Sequence, residues 1–325
     1  MELVSPNIVK HIPKINGVFA NPFNPVGLRG TLRHNEPLSK HTSWRVGGPA
    51  QWFYEPADME DLIQFIQQLP ANIPIFWLGL GSNLLIRDGG IRGVVILTSG
   101  LLNEIKLLDN NSIYAEAGVS CARLARFAAK ANLTGIEFLA GIPGTLGGAL
   151  AMNAGAWGGD TWSAVRGVET IDQHGQRHRR QVTDYEIGYR SVKGLNNEWF
   201  VNATLQLSHN PNTDGLEKIK TLLKQRSENQ PIGLPSCGSV FRNPPGDYAA
   251  RLIEQAGWKG YCEGGACVSE KHANFIISNE TATADDIEKL IVDIQNSVKK
   301  IFQINLMPEV RIVGKNVLTL VDDEV

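Results

Sequence analysis

The sequence Gly-Ile-Pro-Gly-Thr-Leu-Gly-Gly-Ala-Leu-Ala-Met-Asn-Ala-Gly-Ala-Trp-Gly-Gly-Asp spans residues 141–160 and is the most glycine-dense stretch of the chain. Glycine lets main-chain N–H groups approach phosphate oxygens, because no Cβ stands in the way. The small residues at 149–155 also leave room beside the backbone for a ring system. The stretch therefore predicts a backbone surface that lies close to a flat, phosphate-bearing ligand.

A second glycine turn, Gly-Leu-Gly-Ser-Asn at residues 79–83, follows an apolar segment. Neither turn is a Rossmann fingerprint, because residues 79–83 lack the third glycine and residues 141–148 contain a proline and have a different spacing. Each alone also fits tight turns and close strand packing. Together, and with the amides of Asn83 and Asn153 available to a polar heterocycle, they favour a dinucleotide held without a Rossmann motif.

Around these turns the hydrophobic pattern alternates between strands and helices. Strands are predicted at residues 51–55, 74–78, 93–97 and 112–117, and within 165–190 around a turn at His174-Gly175. Helices are predicted after the caps Asp58 and Ser120, near 215–226, at 247–256 before Gly257, and at 284–302, where Thr283 and Asp286 resemble a capping box.

The same pattern divides the chain into four parts. Residues 1–35 are rich in proline and are interpreted as an N-terminal extension. Two ordered units follow at 36–105 and 106–212, and a polar break at 210–215 precedes a last domain at 213–325.

Composition excludes several classes of protein. The 325 residues carry a formal net charge of −2, which argues against a nucleic-acid partner bound through phosphate neutralisation. No stretch approaches the roughly 20 apolar residues that cross a bilayer. The N-terminal sequence MELVSPNIVKHIPKI also lacks the apolar region of a secretory signal. We expect a cytoplasmic chain without a membrane partner.

The cysteines and histidines point to no metal site. Seven histidines lack close metal-ligand spacing. The four cysteines are Cys121, Cys237, Cys262 and Cys267, and reduced thiols are the simplest expectation for a cytosolic chain. A disulfide between Cys262 and Cys267 is the less favoured alternative.

Several motifs, in order, resemble UDP-N-acetylenolpyruvoylglucosamine reductases. The FAD-binding half is matched by Thr-Ser-Trp-Arg-Val-Gly-Gly at 42–48 and by both glycine turns. The remainder is matched by Gly-Tyr-Arg-Ser at 188–191, Pro-Ser-Cys-Gly-Ser-Val-Phe-Arg-Asn-Pro at 235–244, Gly-Trp-Lys-Gly-Tyr at 257–261, Gly-Gly-Ala-Cys-Val-Ser-Glu-Lys-His at 264–272 and Pro-Glu-Val-Arg at 308–311. The similarity covers roughly residues 38–315.

The resemblance implies an α+β fold in which two subdomains of the vanillyl-alcohol-oxidase/PCMH type hold FAD and a C-terminal α/β domain closes over a UDP-sugar. The short segment between Arg190 and Ser239 resembles the type II subclass, which lacks an inserted tyrosine loop. The FAD-binding residues that it implies are Arg45, Gly47, Gly79, Gly81, Ser82, Asn83, Gly141, Ile142, Pro143, Gly144, Gly147, Gly148, Asn153, Ala154 and Gly155.

The implied reaction reduces UDP-N-acetylglucosamine enolpyruvate to UDP-N-acetylmuramate for peptidoglycan synthesis, with NADPH as co-substrate. We expect the chain to act as a monomer. Hydride addition at C3 of the enolpyruvyl group leaves carbanion character at C2, delocalised into the carboxylate. This intermediate needs positive charge at the carboxylate and a proton source at C2.

Three residues are predicted to meet these needs. Arg190 would bind the carboxylate bidentately, although a surface arginine is the ordinary alternative. Glu309, flanked by apolar residues, would orient the carboxylate or donate a hydrogen bond to it when protonated; the alternative is an ion pair with Arg311. Ser239 would be the acid, against the commoner role of a turn serine beside glycine.

The substrate-binding predictions are less specific. Arg226, Asn243 and Lys259 are candidates for the diphosphate and sugar, with a solvated charge as the alternative for the two cations. Tyr189 would line the pocket or be a core aromatic. Lys271 and His272 are likewise either ligand-binding groups or solvated charges, and Trp157 and Trp162 are predicted to be packing residues.

Two other functions stay open on the residues alone. The first is an alcohol or lactone oxidase of the same fold, which often attaches flavin through histidine or cysteine; Cys121 lies on a predicted helix, and no histidine lies in the glycine clusters. The second is a non-catalytic flavin or nucleotide-sugar binder. It would not require reactive residue types at 190, 239 and 309, and all three are present.

Overall fold

The computed structural model describes residues 23–317. The helices are α1 (Met59–Gln68), α2 (Cys121–Lys130), α3 (Leu146–Met152), α4 (Gly215–Asn229), α5 (Ala249–Gln255) and α6 (Ala284–Phe302). The strands are β1 (Thr31–Pro37), β2 (Pro49–Glu55), β3 (Ile75–Leu78), β4 (Leu84–Ile86), β5 (Ile91–Leu97), β6 (Ile105–Leu108), β7 (Ser112–Glu116), β8 (Leu133–Thr134), β9 (Gly155–Ala156), β10 (Gly159–Asp160), β11 (Val165–Asp172), β12 (Arg177–Gln181), β13 (Glu186–Gly188), β14 (Ser191–Lys193), β15 (Glu198–Gln206), β16 (Ser208–His209), β17 (Cys262–Glu263), β18 (Ala266–Val268), β19 (Ile276–Ser278) and β20 (Arg311–Val313).

The first sheet has the strand order β1-β2-β5-β3, in which β1 is antiparallel to β2 and the other pairs are parallel. Helix α1 begins at the predicted cap, because the Asp58 side chain accepts a hydrogen bond from the Asp61 amide. Its apolar face packs Leu62, Phe65 and Ile66 against this sheet. The predicted strands and helix of this unit are confirmed.

The end of the predicted N-terminal extension needs correction. Residues 31–35, assigned to the extension, belong to β1 and pair with β2. Phe23 also packs edge-on against Trp52 and Phe65, with ring centroids 5.5 and 5.8 Å apart. The proline-rich composition concealed this strand, because the prolines precede it. Residues 1–22 of the extension lie outside the described part of the chain.

A buried carboxylate fastens this N-terminal segment to α1. The Asp61 side chain accepts hydrogen bonds from the Tyr54 hydroxyl at 2.5 Å and from the amides of Arg29 at 2.6 Å and Ala57 at 2.9 Å. Burial alone would raise the pKa of Asp61, but these donors stabilise the anion and hold the pKa below its ordinary value. The carboxylate therefore contributes stability that is present above the unfolded-state pKa and is lost as pH falls through the folded-state pKa.

Asp61→Asn should lower the free energy of unfolding by about 2 kcal/mol, because a neutral amide accepts weaker hydrogen bonds than a carboxylate. The NH2 group of the asparagine would also face donors instead of acceptors. Urea denaturation at neutral pH measures the loss, which should shrink as pH falls below about 4, where the unfolded-state carboxyl protonates. Glu60→Gln, on the exposed side of the same helix, is the control. Equal stability of the two variants at neutral pH would contradict the assignment.

The second sheet is antiparallel, with the order β12-β11-β15-β7-β6. Helices α2 and α3 cover it and share one core with Phe200 and Leu205. Helix α4 joins the same core through Ile219, and Gly215 lies so close to α2 that a Cβ there would be 2.9 Å from the Ala129 Cβ. The predicted domain boundary at 212/213 thus separates α4 from the core that it packs against.

The C-terminal part combines α5 and α6 with the small antiparallel sheet β17-β18-β19. Helix α6 has the predicted capping box between Thr283 and Asp286. The hydrophobic core of this C-terminal part also includes Trp44, whose Nε1 donates a hydrogen bond to the Ile276 carbonyl oxygen at 2.7 Å. In addition, strand β20 pairs with β4 of the first unit. The last part of the chain is therefore joined to the first unit.

None of the helices between residues 23 and 317 has the length and apolar character that crossing a bilayer demands.

The expectation of four reduced cysteines is wrong for one pair, since Cys262 and Cys267 form a disulfide. The two residues face each other on β17 and β18, with Cα atoms 4.1 Å apart. The argument from cellular compartment took no account of this register, which places the thiols together without any movement of the chain. Cys121 and Cys237 are free and buried, and burial raises the pKa of each thiol to about 12.

Candidate active site

One large cavity, of about 1060 Å³, lies where the first two units meet the C-terminal segment. Both glycine turns and α3 line it, as do residues from α4 and from the chain around Ser239 and Glu309. The predicted site residues that line it are Gly79, Gly81, Ser82, Asn83, Gly141, Ile142, Pro143, Gly144, Gly147, Gly148, Ala154, Gly155, Arg190, Arg226, Ser239 and Glu309. The fold thus gathers residues from three of the predicted parts, 36–105, 106–212 and 213–325, at one cavity.

The turn after β3 is shaped by close packing. Gly81 has φ +60°, and a Cβ there would lie 2.1 Å from the His41 carbonyl oxygen. A Cβ at Gly79 would meet the Thr145 hydroxyl at 2.6 Å, so the two glycine turns pack against each other. Glycine is required at both positions by the protein itself.

The same turn presents unused donors. Across residues 23–317, no hydrogen bond joins the backbone amides of Leu80, Gly81, Ser82 or Asn83 to a protein acceptor. Successive backbone N–H groups in a turn form an anion-binding concavity. The turn is therefore suited to the phosphates of a bound nucleotide.

The other glycine cluster provides a flat wall. A Cβ added at Gly144 or Gly148 would find no heavy atom closer than 3.6 Å, although both residues line the cavity. Thr145 caps α3 by accepting a hydrogen bond from the Gly148 amide. Space that a side chain would fill is thus left open, and residues 141–148 with residues 79–83 fit a dinucleotide such as FAD.

Gly148→Leu should fold normally but lose bound flavin. The new side chain enters the cavity, and overpacking of about 1–3 kcal/mol corresponds to a loss of affinity of roughly fivefold to 150-fold. The ratio of flavin to protein absorbance after purification measures retention, and far-UV circular dichroism checks the fold. Gly167→Ala on β11, away from the cavity, is the control. A Gly148→Leu preparation that keeps the full flavin content would contradict the assignment of residues 141–148 to the flavin site.

Arg190 occupies the turn between β13 and β14 with φ +52°, a left-handed conformation uncommon for a residue with a side chain. Its Nη2 donates to the Gly155 carbonyl oxygen at 2.6 Å. Its Nε lies 2.7 Å from Oε1 of Glu309, and both side chains are less than one-fifth exposed. Glu309 therefore pairs with Arg190, and the alternative partner Arg311 is wrong.

The Glu309 carboxyl is poised between two opposing effects. Burial, the larger one, raises its pKa, while the positive charges of Arg190 and Arg242 lower it. The net pKa lies above the ordinary value for glutamate, so a proton can be held on this carboxyl near neutral pH more readily than on an exposed one.

Ser239 is half-buried and lines the cavity behind Gly238, which has φ +75°. The neighbouring Val240 carbonyl oxygen accepts a hydrogen bond from the Glu309 amide at 2.8 Å. This main-chain contact places the segments of Ser239 and Glu309 side by side, although 70 residues separate them in the sequence. Hydroxyl, acid and guanidinium thus share one wall of the cavity.

The comparisons with known proteins agree with this geometry. The C-terminal domain of UDP-N-acetylenolpyruvoylglucosamine reductase matches residues 230–313, and an FAD binding domain matches residues 50–180. The UDP-N-acetylenolpyruvoylglucosamine reductase of Alkalilimnicola ehrlichii is 56% identical over 286 residues, which are 88% of this chain and 96% of that protein. The chain belongs to this reductase family. It is an FAD oxidoreductase.

Two further relatives support the assignment. The reductase of Legionella pneumophila strain Lens is 56% identical over 287 residues, which cover 88% of this chain and 93% of the relative. The crystal structure of the Thermus caldophilus reductase matches with a TM-score of 0.74 and 31% identity, over 88% of this chain and 99% of that one. The predicted α+β fold with an FAD-binding half is confirmed.

Six predicted site residues do not line the cavity: Arg45, Gly47, Asn153, Tyr189, Asn243 and Lys259. Asn153 donates to the Gly188 carbonyl oxygen at 3.2 Å and accepts from the Trp162 amide at 3.1 Å, so it supports the hairpin that carries Arg190. Lys259 pairs with Glu254. Roles for these six residues in ligand binding stay predictions.

Two residues near the site were missed. Trp157, predicted to pack, is 44% exposed and lines the cavity, whereas Trp162 is buried as predicted. The glycine neighbours of Trp157 could have indicated its exposure, because Gly158 and Gly159 offer no side chains for the indole ring to pack against. Arg242 was not singled out, although its charge acts on Glu309. Only its tertiary position reveals it.

Proposed function

We propose that the chain reduces UDP-N-acetylglucosamine enolpyruvate to UDP-N-acetylmuramate, with NADPH as the electron donor. The observation that carries the proposal is the Arg190–Glu309 pair, which lines the same cavity as Ser239 and the two glycine turns. Residues 79–83 and 141–148 would hold FAD, which when bound supplies hydride transfer. The remaining chemistry belongs to the side chains.

Arg190 would bind the carboxylate of the enolpyruvyl group. Hydride addition at C3 moves electron density into this carboxylate, and a guanidinium keeps its charge throughout. Its contact with the Gly155 carbonyl oxygen fixes the fork while leaving other N–H groups for the substrate. Such fixed positive charge stabilises the developing anion without reorganisation.

Ser239 would donate the proton to C2. A hydroxyl is a weak acid in water, so the transfer depends on a strongly basic carbanion in a site from which water is excluded. The half-buried position of Ser239 between Gly238 and the Glu309 segment is consistent with this need. Glu309, with its raised pKa, would hold the substrate carboxylate through a hydrogen bond when protonated.

Arg226 is our candidate for the diphosphate of the substrate. Burial lowers the pKa of its guanidinium, and in the described residues no carboxylate lies within ion-pairing distance of it. Its Nε donates to Gln230 at 2.9 Å, which orients the fork beside the cavity. A partly desolvated cation without a counter-charge favours an anionic ligand.

The proposal is tested by following NADPH oxidation with and without the enolpyruvyl UDP-sugar under anaerobic conditions. We expect oxidation only with the sugar present, and a product with two more hydrogens by mass spectrometry. NADPH oxidation that needs oxygen and ignores the sugar would instead indicate an oxidase. Flavin and sugar that bind without any turnover would indicate a binding module.

A further inference from the structure

Arg242 contacts both chain segments that carry the acid–guanidinium pair. Its Nη2 donates a hydrogen bond to the Arg190 carbonyl oxygen at 3.0 Å. Its main-chain amide donates to the Met307 carbonyl oxygen at 2.9 Å, two residues before Glu309. Arg242 also follows Ser239 by three residues, on the same segment. Arg242 thus contacts the Arg190 hairpin through its side chain and the Glu309 segment through its main chain, and it lies on the segment of Ser239.

The hydrogen bond from Arg242 is made to a residue in an uncommon backbone conformation. Arg190 has φ +52°, which places it in a region that residues with a Cβ seldom occupy. The preceding turn residue, Tyr189, is 62% exposed, and its ring lies against the Arg190 guanidinium, with 5.4 Å between the ring centroid and Cζ. Such a conformation persists only when its surroundings fix it. The bond from Arg242 is a fixed point for this turn from outside its own hairpin.

The charge of Arg242 is also available to the site. Within residues 23–317 it has no carboxylate at ion-pairing distance, and its Nε is buried without a hydrogen-bond acceptor. The charged groups that act on Glu309 are Arg190 and Arg242, and both favour the ionised carboxyl. Removing the charge of Arg242 would therefore raise the pKa of Glu309.

We propose that Arg242 is a positioning residue for the reaction. It holds the main chain of Arg190, so that the Arg190 guanidinium keeps its position beside Glu309 and Ser239. This inference rests on the proposed function, because it concerns the step in which the enolpyruvyl substrate is reduced. Arg242 does not line the cavity, so it acts through Arg190 and Glu309. Its removal should affect this step and leave flavin binding intact.

The test uses the flavin-loaded enzyme with Arg242→Met and Arg242→Lys, and with Arg251→Met on the exposed face of α5 as the control. With Arg242→Met, flavin content and flavin reduction by NADPH should match wild type. Oxidation of the reduced flavin by the enolpyruvyl UDP-sugar should slow by about tenfold to a hundredfold, the cost of misplacing a reacting group. The limb of the pH–rate profile that belongs to Glu309 should move to higher pH.

Arg242→Lys separates the two effects. It restores the charge, so the pH limb should return towards wild type, but it lacks the planar fork, so the rate should recover only in part. A wild-type rate and pH limb in Arg242→Met would overturn the inference. So would equal losses in flavin content and both half-reactions, which indicate a structural role only. A wild-type enzyme that never reacts with the sugar would instead refute the proposed function.

Discussion

Replacing Ser239 with alanine should slow the oxidation of reduced enzyme by the enolpyruvyl UDP-sugar by about 10²- to 10⁴-fold, the usual contribution of a positioned acid. Flavin reduction by NADPH should stay near the wild-type rate, because no proton is delivered to carbon in that step. Anaerobic stopped-flow measurement of flavin absorbance separates the two half-reactions. The protein should keep its flavin, since the substitution removes one oxygen atom.

Ser236→Ala is the matched control for this prediction. Ser236 lies in the same segment and is half-buried, but it does not line the cavity. Its replacement should leave both half-reactions unchanged. If the enolpyruvyl UDP-sugar oxidises the reduced flavin of Ser239→Ala as fast as that of the wild type, another group delivers the proton.

Arg190→Met should have an effect of similar size, by a different route. Arg190 is the proposed fixed positive charge at the carboxylate that takes up electron density, and removing one such preorganised donor typically lowers the rate by about 10²- to 10³-fold. Loss of Arg190 also removes one of the two positive charges that oppose the effect of burial on Glu309. The pKa of Glu309 should therefore rise further, and its limb of the pH–rate profile should move upwards.

Comparison of Arg190→Lys with Arg190→Met tests whether the fork or the charge matters. Lysine keeps the charge but cannot bind a carboxylate bidentately, so we expect an intermediate rate and a pH limb near that of wild type. Arg166→Met, an exposed position on β11, should change neither quantity. A rate loss confined to flavin reduction by NADPH would exclude Arg190 from the substrate step.

Asn83 connects the glycine turn at residues 79–83 with the segment that carries Glu309. Its side-chain amide donates to the Glu309 carbonyl oxygen at 3.1 Å, and its own carbonyl oxygen accepts from the Arg311 amide at 3.0 Å. The pairing of β20 with β4 continues this contact. Besides the predicted role in ligand binding, Asn83 therefore fixes the position of the Glu309 main chain relative to the glycine turn.

Local signals predicted much of the fold. The caps at Asp58, Ser120 and Thr283 start their helices as expected, because capping depends on residues three or four apart. The glycine turns were found for the same reason, since each is a continuous motif. The candidate catalytic residues came from a resemblance across the chain, and their roles remain proposals.

Features that depend on distant contacts could not be derived. The partner of Glu309 is 119 residues away in sequence, whereas the nearby Arg311 was the available alternative. The disulfide depended on the register of a short hairpin, and the placement of α4 on a close approach to α2. Hydrophobic periodicity specifies which face of an element is buried, but not which element covers it.

We propose that the cavity would hold the flavin beside the enolpyruvyl group, with Arg190, Glu309 and Ser239 lining the same cavity. The most direct measurement is to reduce the flavin-loaded protein anaerobically with one equivalent of NADPH and then add the enolpyruvyl UDP-sugar. We predict that the oxidised flavin spectrum returns and that UDP-N-acetylmuramate forms in equal amount. Flavin that stays reduced in the presence of excess sugar would contradict the account.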